Sequence, residues 1–187
     1  MTFLCDIAEI RAGYPFRGSI PAVQNGNCAV VQPKNLSAPA ITDGTPLARF
    51  NAERLKPAHL LKNNDVLLSS RGEFKASLFM SKHQTVASSS IFVVSVADRR
   101  FLPEYIVMYL NSKQGQAQMN SRQGTATVKA IVRSQIELLS VPPLPLKTQT
   151  ALSRAFFLLK KKRELSEQLL NRKELMIEYA LTKITGE

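Results

Sequence analysis

The chain of 187 residues has no tryptophan and contains only two cysteines and two histidines. Cys5 and Cys28 are too few for a disulfide framework, so we expect both thiols to be reduced. His59 and His83 lie far apart in sequence, and neither has a cysteine or carboxylate at ligand spacing. We therefore predict no metal site.

Acidic residues are scarce relative to basic ones. The 25 lysines and arginines outnumber the 14 aspartates and glutamates, which gives a net charge of +11. Such an excess favours a polyanionic partner, either nucleic acid or an anionic membrane surface. No apolar run approaches the roughly 20 residues that span a bilayer, and the first residues lack the basic and apolar pattern of a signal peptide. We expect a cytoplasmic protein that binds nucleic acid and no membrane.

Catalytic signatures are also missing. The sequence has no Gly-x-Ser-x-Gly elbow, no phosphate-binding Gly-rich loop and no dinucleotide fingerprint. Pro142-Pro143 resembles part of the Asn-Pro-Pro-aromatic motif of amino-methyltransferases, but Val141 precedes it and Leu144 follows it. The polar and aromatic residues of that motif are thus replaced. We predict no catalytic residue, and an enzyme only if an active site is assembled across a dimer.

The patterns that are present predict an α+β protein. Short apolar runs broken by turn residues, as far as about residue 102, indicate a β-rich domain. Pro103 begins a segment of helical periodicity that extends to about residue 120, where Ser112 and Gly115 permit a break. We expect a loop or hairpin tip at residues 72–77 and a strand near residues 136–141. The clearest strands are Val66-Leu67-Leu68, Thr85-Val86-Ala87 and Ile91-Phe92-Val93-Val94-Ser95-Val96.

A Pro-rich bend leads into a long charged segment that predicts a C-terminal helix. We place the domain boundary here, with a β-rich domain at residues 1–146 and a coiled-coil-like helix at residues 147–187. Six of eight heptad seam positions are apolar when Ala155 and Leu158 start the two rows. This seam would contact a second copy or a partner helix. The predicted contact residues are Leu158, Leu165, Leu169, Met176 and Tyr179.

Basic and amide side chains recur in segments that we expect to be exposed loops. Arginine can bind guanine edges with two hydrogen bonds, asparagine and glutamine can do so for adenine, and serine, threonine and lysine can hold phosphates. The alternative for any one of them is an ordinary solvated turn. The predicted DNA-binding residues are Arg17, Lys34, Asn35, Ser70, Arg71, Lys75, Arg122, Gln123, Thr125 and Lys129.

Seven short motifs follow one another along the chain. They begin at Ile7-Ala8-Glu9-Ile10, Val31-Gln32-Pro33-Lys34, Asn64-Asp65-Val66-Leu67, Ser88-Ser89-Ser90-Ile91, Leu102-Pro103-Glu104-Tyr105, Gly124-Thr125-Ala126-Thr127 and Ile136-Glu137-Leu138-Leu139, the last continuing through Pro142-Pro143 to Gln149. Their order resembles half of a specificity subunit of a type I restriction-modification system. Asn64 stands where that family usually has glycine, and Thr148 replaces its glutamate.

The resemblance implies a target recognition domain followed by a spacer helix. Most members of the family have two of each, whereas this chain has one. The resemblance therefore implies either a natural half-subunit that acts as a homodimer and reads one half-site of double-stranded DNA per copy, or a truncated piece of a longer subunit. The implied partners are an adenine methyltransferase subunit, which would carry S-adenosylmethionine, and in full systems a restriction or translocase subunit. The chain itself would need no cofactor. Three alternatives stay open: an oligomeric interaction protein, a structured-RNA binder and a solitary defence-system adaptor of the same fold.

Overall fold

A computed structural model of the chain describes residues 1–20, 23–53, 55–122 and 130–185. The chain divides into two compact units, Met1–Ser153 and Arg154–Glu187. The strands are β1 (Thr2–Phe3), β2 (Ala8–Ala12), β3 (Cys28–Val31), β4 (Ala40–Thr42), β5 (Ala48–Phe50), β6 (Val66–Ser69), β7 (Ala76–Met80), β8 (Thr85–Ala87), β9 (Ile91–Val96) and β10 (Ser140–Val141). The α-helices are α1 (Leu4–Ile7), α2 (Pro103–Leu110), α3 (Lys113–Ser121), α4 (Arg133–Glu137) and α5 (Leu146–Thr185). Two 3₁₀ helices cover Pro33–Ser37 and Pro57–His59.

The largest sheet has five strands in the order β2-β9-β6-β7-β4. All neighbouring pairs are antiparallel except β4 and β7, which run parallel. Every residue of β6 is buried, because this central strand has protein on both faces. Its continuous apolar sequence is the pattern expected for a strand that is covered on both sides.

A smaller sheet has the order β5-β3-β8. β3 pairs antiparallel with β5 and parallel with β8. Neighbouring residues of β3 pack in different hydrophobic clusters, because successive side chains of a strand point to opposite faces. Val31 packs with Leu67 and Phe79 of the large sheet, whereas Val30 packs with Phe50 and other side chains of a second cluster.

The predicted helical segment after Pro103 is confirmed, together with its break. Pro103 occupies the first helical turn of α2, where its missing N–H is not needed. The Ser112 hydroxyl then accepts a hydrogen bond from the Gly115 amide at 3.2 Å and starts α3. A Cβ on Gly115 would lie 2.2 Å from the Tyr109 carbonyl oxygen, so only glycine allows α3 to turn this closely behind α2.

The predicted strand at residues 136–141 is wrong in its first part. Residues Arg133–Glu137 form the short helix α4, and only Ser140–Val141 form a strand, which pairs with β1. The helical turn is stabilised where the Gln135 side chain accepts a hydrogen bond from the Val132 amide at 2.9 Å. A 2.7 Å ion pair from Arg133 to Glu137 spans one helical turn and adds to it.

The hairpin-tip prediction at residues 72–77 is also too long, because β7 begins at Ala76. By contrast, the long C-terminal helix begins at Leu146, immediately after Pro145. The Pro145 carbonyl accepts the amides of Thr148 and Gln149 at 2.9 and 3.0 Å and closes the first turn. The predicted α+β fold with a β-rich domain and a long terminal helix is confirmed. No helix within the described residues is both long and apolar enough to cross a membrane.

Candidate nucleic-acid interface

Loops that are far apart in sequence meet on one side of the large sheet, where its strands begin and end. The antiparallel register pairs Ala12 with Phe92, Ser69 with Ile91, and Leu68 with Ala76. The last residues of β2 and β6 therefore lie beside the first residues of β7 and β9. We call the surface formed there the loop edge, and it comprises residues 13–18, 32–37, 69–75 and 88–90.

Backbone hydrogen bonds connect these loops to one another. The Gly13 amide donates to the Ile91 carbonyl, the Ser88 amide to the Val31 carbonyl and the Ser70 amide to the Ser90 carbonyl, each at 2.9 Å. A Cβ on Gly13 would lie 2.1 Å from the Ser88 carbonyl oxygen, so glycine is required for this close approach. The loop edge is therefore a connected surface rather than a set of independent loops.

The segment at residues 69–75 is a closed hairpin tip. The Ser69 hydroxyl donates to the Glu73 carbonyl at 2.5 Å and accepts from the Lys75 amide at 2.8 Å. Gly72 has a φ of +71°, which favours glycine. Phe74 is buried, and its carbonyl accepts a hydrogen bond from the Gln116 side chain at 2.7 Å. These bonds hold the exposed residues Arg71 and Glu73 on a well-supported turn.

Three of the predicted DNA-binding residues are exposed at the loop edge. Arg17 lies in a bend after β2, Lys34 lies in the 3₁₀ helix that follows β3, and Arg71 lies at the hairpin tip. Within the described part of the chain, none of these three side chains makes a hydrogen bond or ion pair. These three cations lie in loops of the same edge, and arginine and lysine side chains commonly contact phosphates and base edges.

Four other predicted residues already have structural contacts. The Asn35 side chain accepts the Gln32 amide at 2.8 Å and closes the 3₁₀ turn. Lys75 forms a 2.6 Å ion pair with Glu73. The Arg122 guanidinium donates to the Leu138 carbonyl at 3.0 Å, and Ser70 is buried. Their contact with DNA stays a prediction, and the first three would have to exchange or share an existing bond.

Gln123, Thr125 and Lys129 lie outside the described residues. The segment that contains them rejoins the described chain at Ala130, which forms an antiparallel bridge with Arg71. The Ile131 amide also donates to the Ser70 carbonyl at 3.0 Å. Ala130 and Ile131 therefore lie next to the hairpin tip.

Sequence reasoning missed two further hydroxyl residues at the loop edge, Ser89 and Ser90. Both lie in the turn between β8 and β9, and Ser89 is exposed. The signal was present, because the Ser88-Ser89-Ser90 run is one of the motifs that carry the family resemblance. Serine hydroxyls are common phosphate ligands in protein–DNA interfaces.

A cleft of about 420 Å³ opens beside Arg17. Its apolar wall is an aromatic cluster in which Phe16 packs edge-on against Tyr14 and Phe50, with ring centroids 4.9 and 5.0 Å away. Its polar wall includes Glu53. The described residues contain no cluster of three or more histidine, cysteine or acidic side chains that could hold a metal ion.

The Asn64-Asp65 motif has a structural role that the sequence did not reveal. Asn64 has a φ of +72°, a conformation that glycine adopts readily and that asparagine tolerates better than most residues. The buried Asp65 carboxylate accepts the Lys62 amide at 2.8 Å and the Ser95 hydroxyl at 2.6 Å. It also lies 3.5 Å from Arg11. This carboxylate therefore joins the start of β6 to β9 and β2.

The five predicted partner-contact residues of α5 lie on one side of the helix. Leu158, Leu165, Leu169, Met176 and Tyr179 are each more than half exposed. We call these five predicted contact residues the α5 strip. Leu158, Leu165 and Leu169 line a shallow groove together with Lys161, Lys162 and Ser166. Solvent-exposed leucines repeated at helical spacing are typical of a helix that packs against another helix.

No family model matches this chain, and no curated protein matches it in sequence. Its fold is nevertheless similar to solved structures. The type I restriction-modification S subunit from M. genitalium superposes with a TM-score of 0.62 and 13% identity, over 97% of this chain and 44% of that one. The HsdS subunit from Thermoanaerobacter tengcongensis gives a TM-score of 0.57 and 13% identity, over 90% and 38% of the two chains.

A third similar chain comes from a structure that describes complex assembly and conformational transition of the type I restriction-modification system. It has a TM-score of 0.61 and 15% identity, and the match covers 97% of this chain and 42% of that one. This chain thus spans less than half the length of each of these three structures. The predicted resemblance is confirmed for the fold, which is that of type I specificity subunits.

Proposed function

We propose that this chain is a sequence-specific DNA-recognition subunit of a type I restriction-modification complex. The observation that carries the proposal is the loop edge, where Arg17, Lys34 and Arg71 are exposed in loops joined by backbone hydrogen bonds and make no side-chain bond to any described residue. A supported surface of this kind can present donors to base edges without ordering a loop on binding. The fold likeness to type I specificity subunits supports the same function.

The role of the chain in this proposal is non-catalytic. An adenine methyltransferase subunit would bring S-adenosylmethionine and extrude the target base from the duplex, as enzymes that modify bases must do. The chain would hold that enzyme at the correct sequence. In a full system, a restriction or translocase subunit would join the same complex.

The α5 strip provides the surface for assembly in this proposal. Two copies that pair antiparallel through their helices would form a homodimer with two-fold symmetry. Each copy would read one half-site, so the target would be palindromic and interrupted. The same helix would take part in docking the methyltransferase.

The first test is a tagged pull-down from the native cell, with masses from light scattering and components from mass spectrometry. We expect an adenine methyltransferase together with two copies of this chain. Leu165→Glu, within the α5 strip, should reduce this assembly, whereas Asn171→Glu on another side of the helix should not. Recovery of a homo-oligomer without any methyltransferase would contradict the proposed complex.

A pure interaction protein is the second candidate, and the exposed apolar α5 strip is the observation that favours it. In that case the basic surface would bind an acidic protein. The chain would then not bind added duplex DNA, but it would still form oligomers. Competition between structured RNA and duplex DNA for the chain distinguishes RNA binding from DNA binding. A chain that binds neither a methyltransferase nor a nuclease would favour a solitary defence adaptor.

A further inference from the structure

Glu73 is the only acidic residue among the residues that define the loop edge, where the other charged side chains are Arg17, Lys34, Arg71 and Lys75. Its side chain is 79% exposed at the hairpin tip. A carboxylate on a surface that approaches phosphates is repelled by them, so electrostatics alone would disfavour an acid here.

The Glu73 carboxylate is held in a defined way. Lys75 Nζ lies 2.6 Å from Oε2, and this hydrogen bond is the main cause of the lowered pKa of Glu73. The group is therefore ionised at neutral pH and can only accept hydrogen bonds. Since Lys75 contacts Oε2, the other carboxylate oxygen, Oε1, is available to a further donor.

Arg71 stands two residues before Glu73, with Gly72 between them. The hairpin tip thus carries an exposed forked donor and an exposed acceptor two residues apart. A G·C base pair displays the complementary pattern in the major groove, because guanine offers the N7 and O6 acceptors and cytosine offers the N4 donor. Adenine also has a donor, but its N7 acceptor would repel a carboxylate.

We infer that Glu73 is a specificity-determining residue that accepts a hydrogen bond from a cytosine amino group, while Arg71 binds guanine of the same or the adjacent base pair. This inference rests on the proposed DNA recognition and specifies which base pair the hairpin tip reads. Lys75 neutralises Glu73 and orients it, and this lowers the repulsion between the carboxylate and the phosphates. The backbone bonds of Ser69 and the support from Gln116 keep the tip in position.

The test is selection of bound sequences from a randomised duplex library by the full chain, followed by competition binding on single-base variants of the selected site. Glu73→Gln should reduce the preference for cytosine at one position by about tenfold, the lower part of the range for a base-edge contact. The same variant should bind unrelated DNA about twofold more tightly, because a repulsive charge is removed and Lys75 is released.

Glu9→Gln is the matched control, since Glu9 is an exposed acid on β2 outside the loop edge. It should change neither the selected sequence nor the affinity. Lys75→Met should reduce the cytosine preference without abolishing it, because the Glu73 carboxylate remains but loses the side chain that orients it. A Glu73→Gln variant that melts like the wild type and selects an unchanged site would overturn the inference. A wild-type chain that selects no sequence would instead overturn the proposed DNA recognition itself.

Discussion

At the scale of single residues, the loop edge separates side chains that are free from side chains that hold the fold. Arg17, Lys34 and Arg71 are exposed and uncommitted in the described structure, whereas Asn35 and Lys75 already have partners. A free, well-supported arginine can bind DNA without first giving up a bond. Base reading is therefore expected to depend more on Arg71 than on Asn35.

The first prediction compares Arg71→Ala with Lys129→Ala. Arg71 should read a base, so its loss should relax base preference at one position, at a cost of about 1–3 kcal/mol for the preferred site. Lys129 should hold a phosphate, so its loss should weaken binding to all sequences alike. Affinities across a panel of duplex sites measure both effects, and equal losses from the two variants at every site would contradict this division of roles.

The second prediction concerns Asn64, whose backbone has a positive φ of 72°. Asn64→Ala should lower the free energy of unfolding by about 1 kcal/mol, since residues with an ordinary Cβ are strained in this region. Asn64→Gly should be close to neutral, because glycine adopts this conformation readily but loses more entropy on folding. Urea unfolding of both variants provides the measurement. Equal destabilisation by both would show that the side chain, rather than the backbone, matters.

At the scale of elements, the start of α5 is joined to the β-rich unit by one buried amide. Gln149 is fully buried, and its oxygen accepts the Leu102 amide at 2.9 Å. Its nitrogen donates to the carbonyls of Arg100 and Leu144, both at 2.7 Å. Gln149 therefore fixes the first turns of α5 to two loops of the same unit.

The third prediction follows from these bonds. Gln149→Ala should lower the free energy of unfolding of the β-rich unit by about 3 kcal/mol, because it leaves buried backbone groups without partners. Thr150→Ala is the matched control, since the Thr150 hydroxyl bonds only to the Leu146 carbonyl within the helix and is exposed. Chemical denaturation compares the two. A loss below about 1 kcal/mol for Gln149→Ala would mean that water replaces the lost contacts.

At the scale of the whole molecule, the net charge of +11 governs how the chain approaches a polyanion. The fourth prediction is that DNA affinity falls with salt at a log–log slope of about −5, as expected for roughly six neutralised phosphates. Titrations between 50 and 200 mM salt, about a fourfold range, suffice to measure such a slope. A slope near zero would contradict electrostatic binding of DNA.

The strands and helices with strong local patterns could be predicted from the sequence. β6, β8 and β9 were found from apolar runs between turn residues, and the break between α2 and α3 from Ser112 and Gly115. Local signals suffice here because these residues act on their own backbone. They failed at α4, since Ile136 is apolar in either a strand or a helical turn and the choice depends on the side-chain bonds of Gln135 and Arg133.

The sequence by itself determined the basic charge, the order of the motifs, the α+β class and the long helix, because each depends on composition or on neighbouring residues. The tertiary structure alone decided which loops meet. The parallel pairing of β3 with β8 and the bond from Ser70 to Ser90 bring distant segments together. It also decided that Lys75 is paired while Arg71 has no side-chain partner among the described residues, because the partner of a side chain depends on the path of the whole backbone.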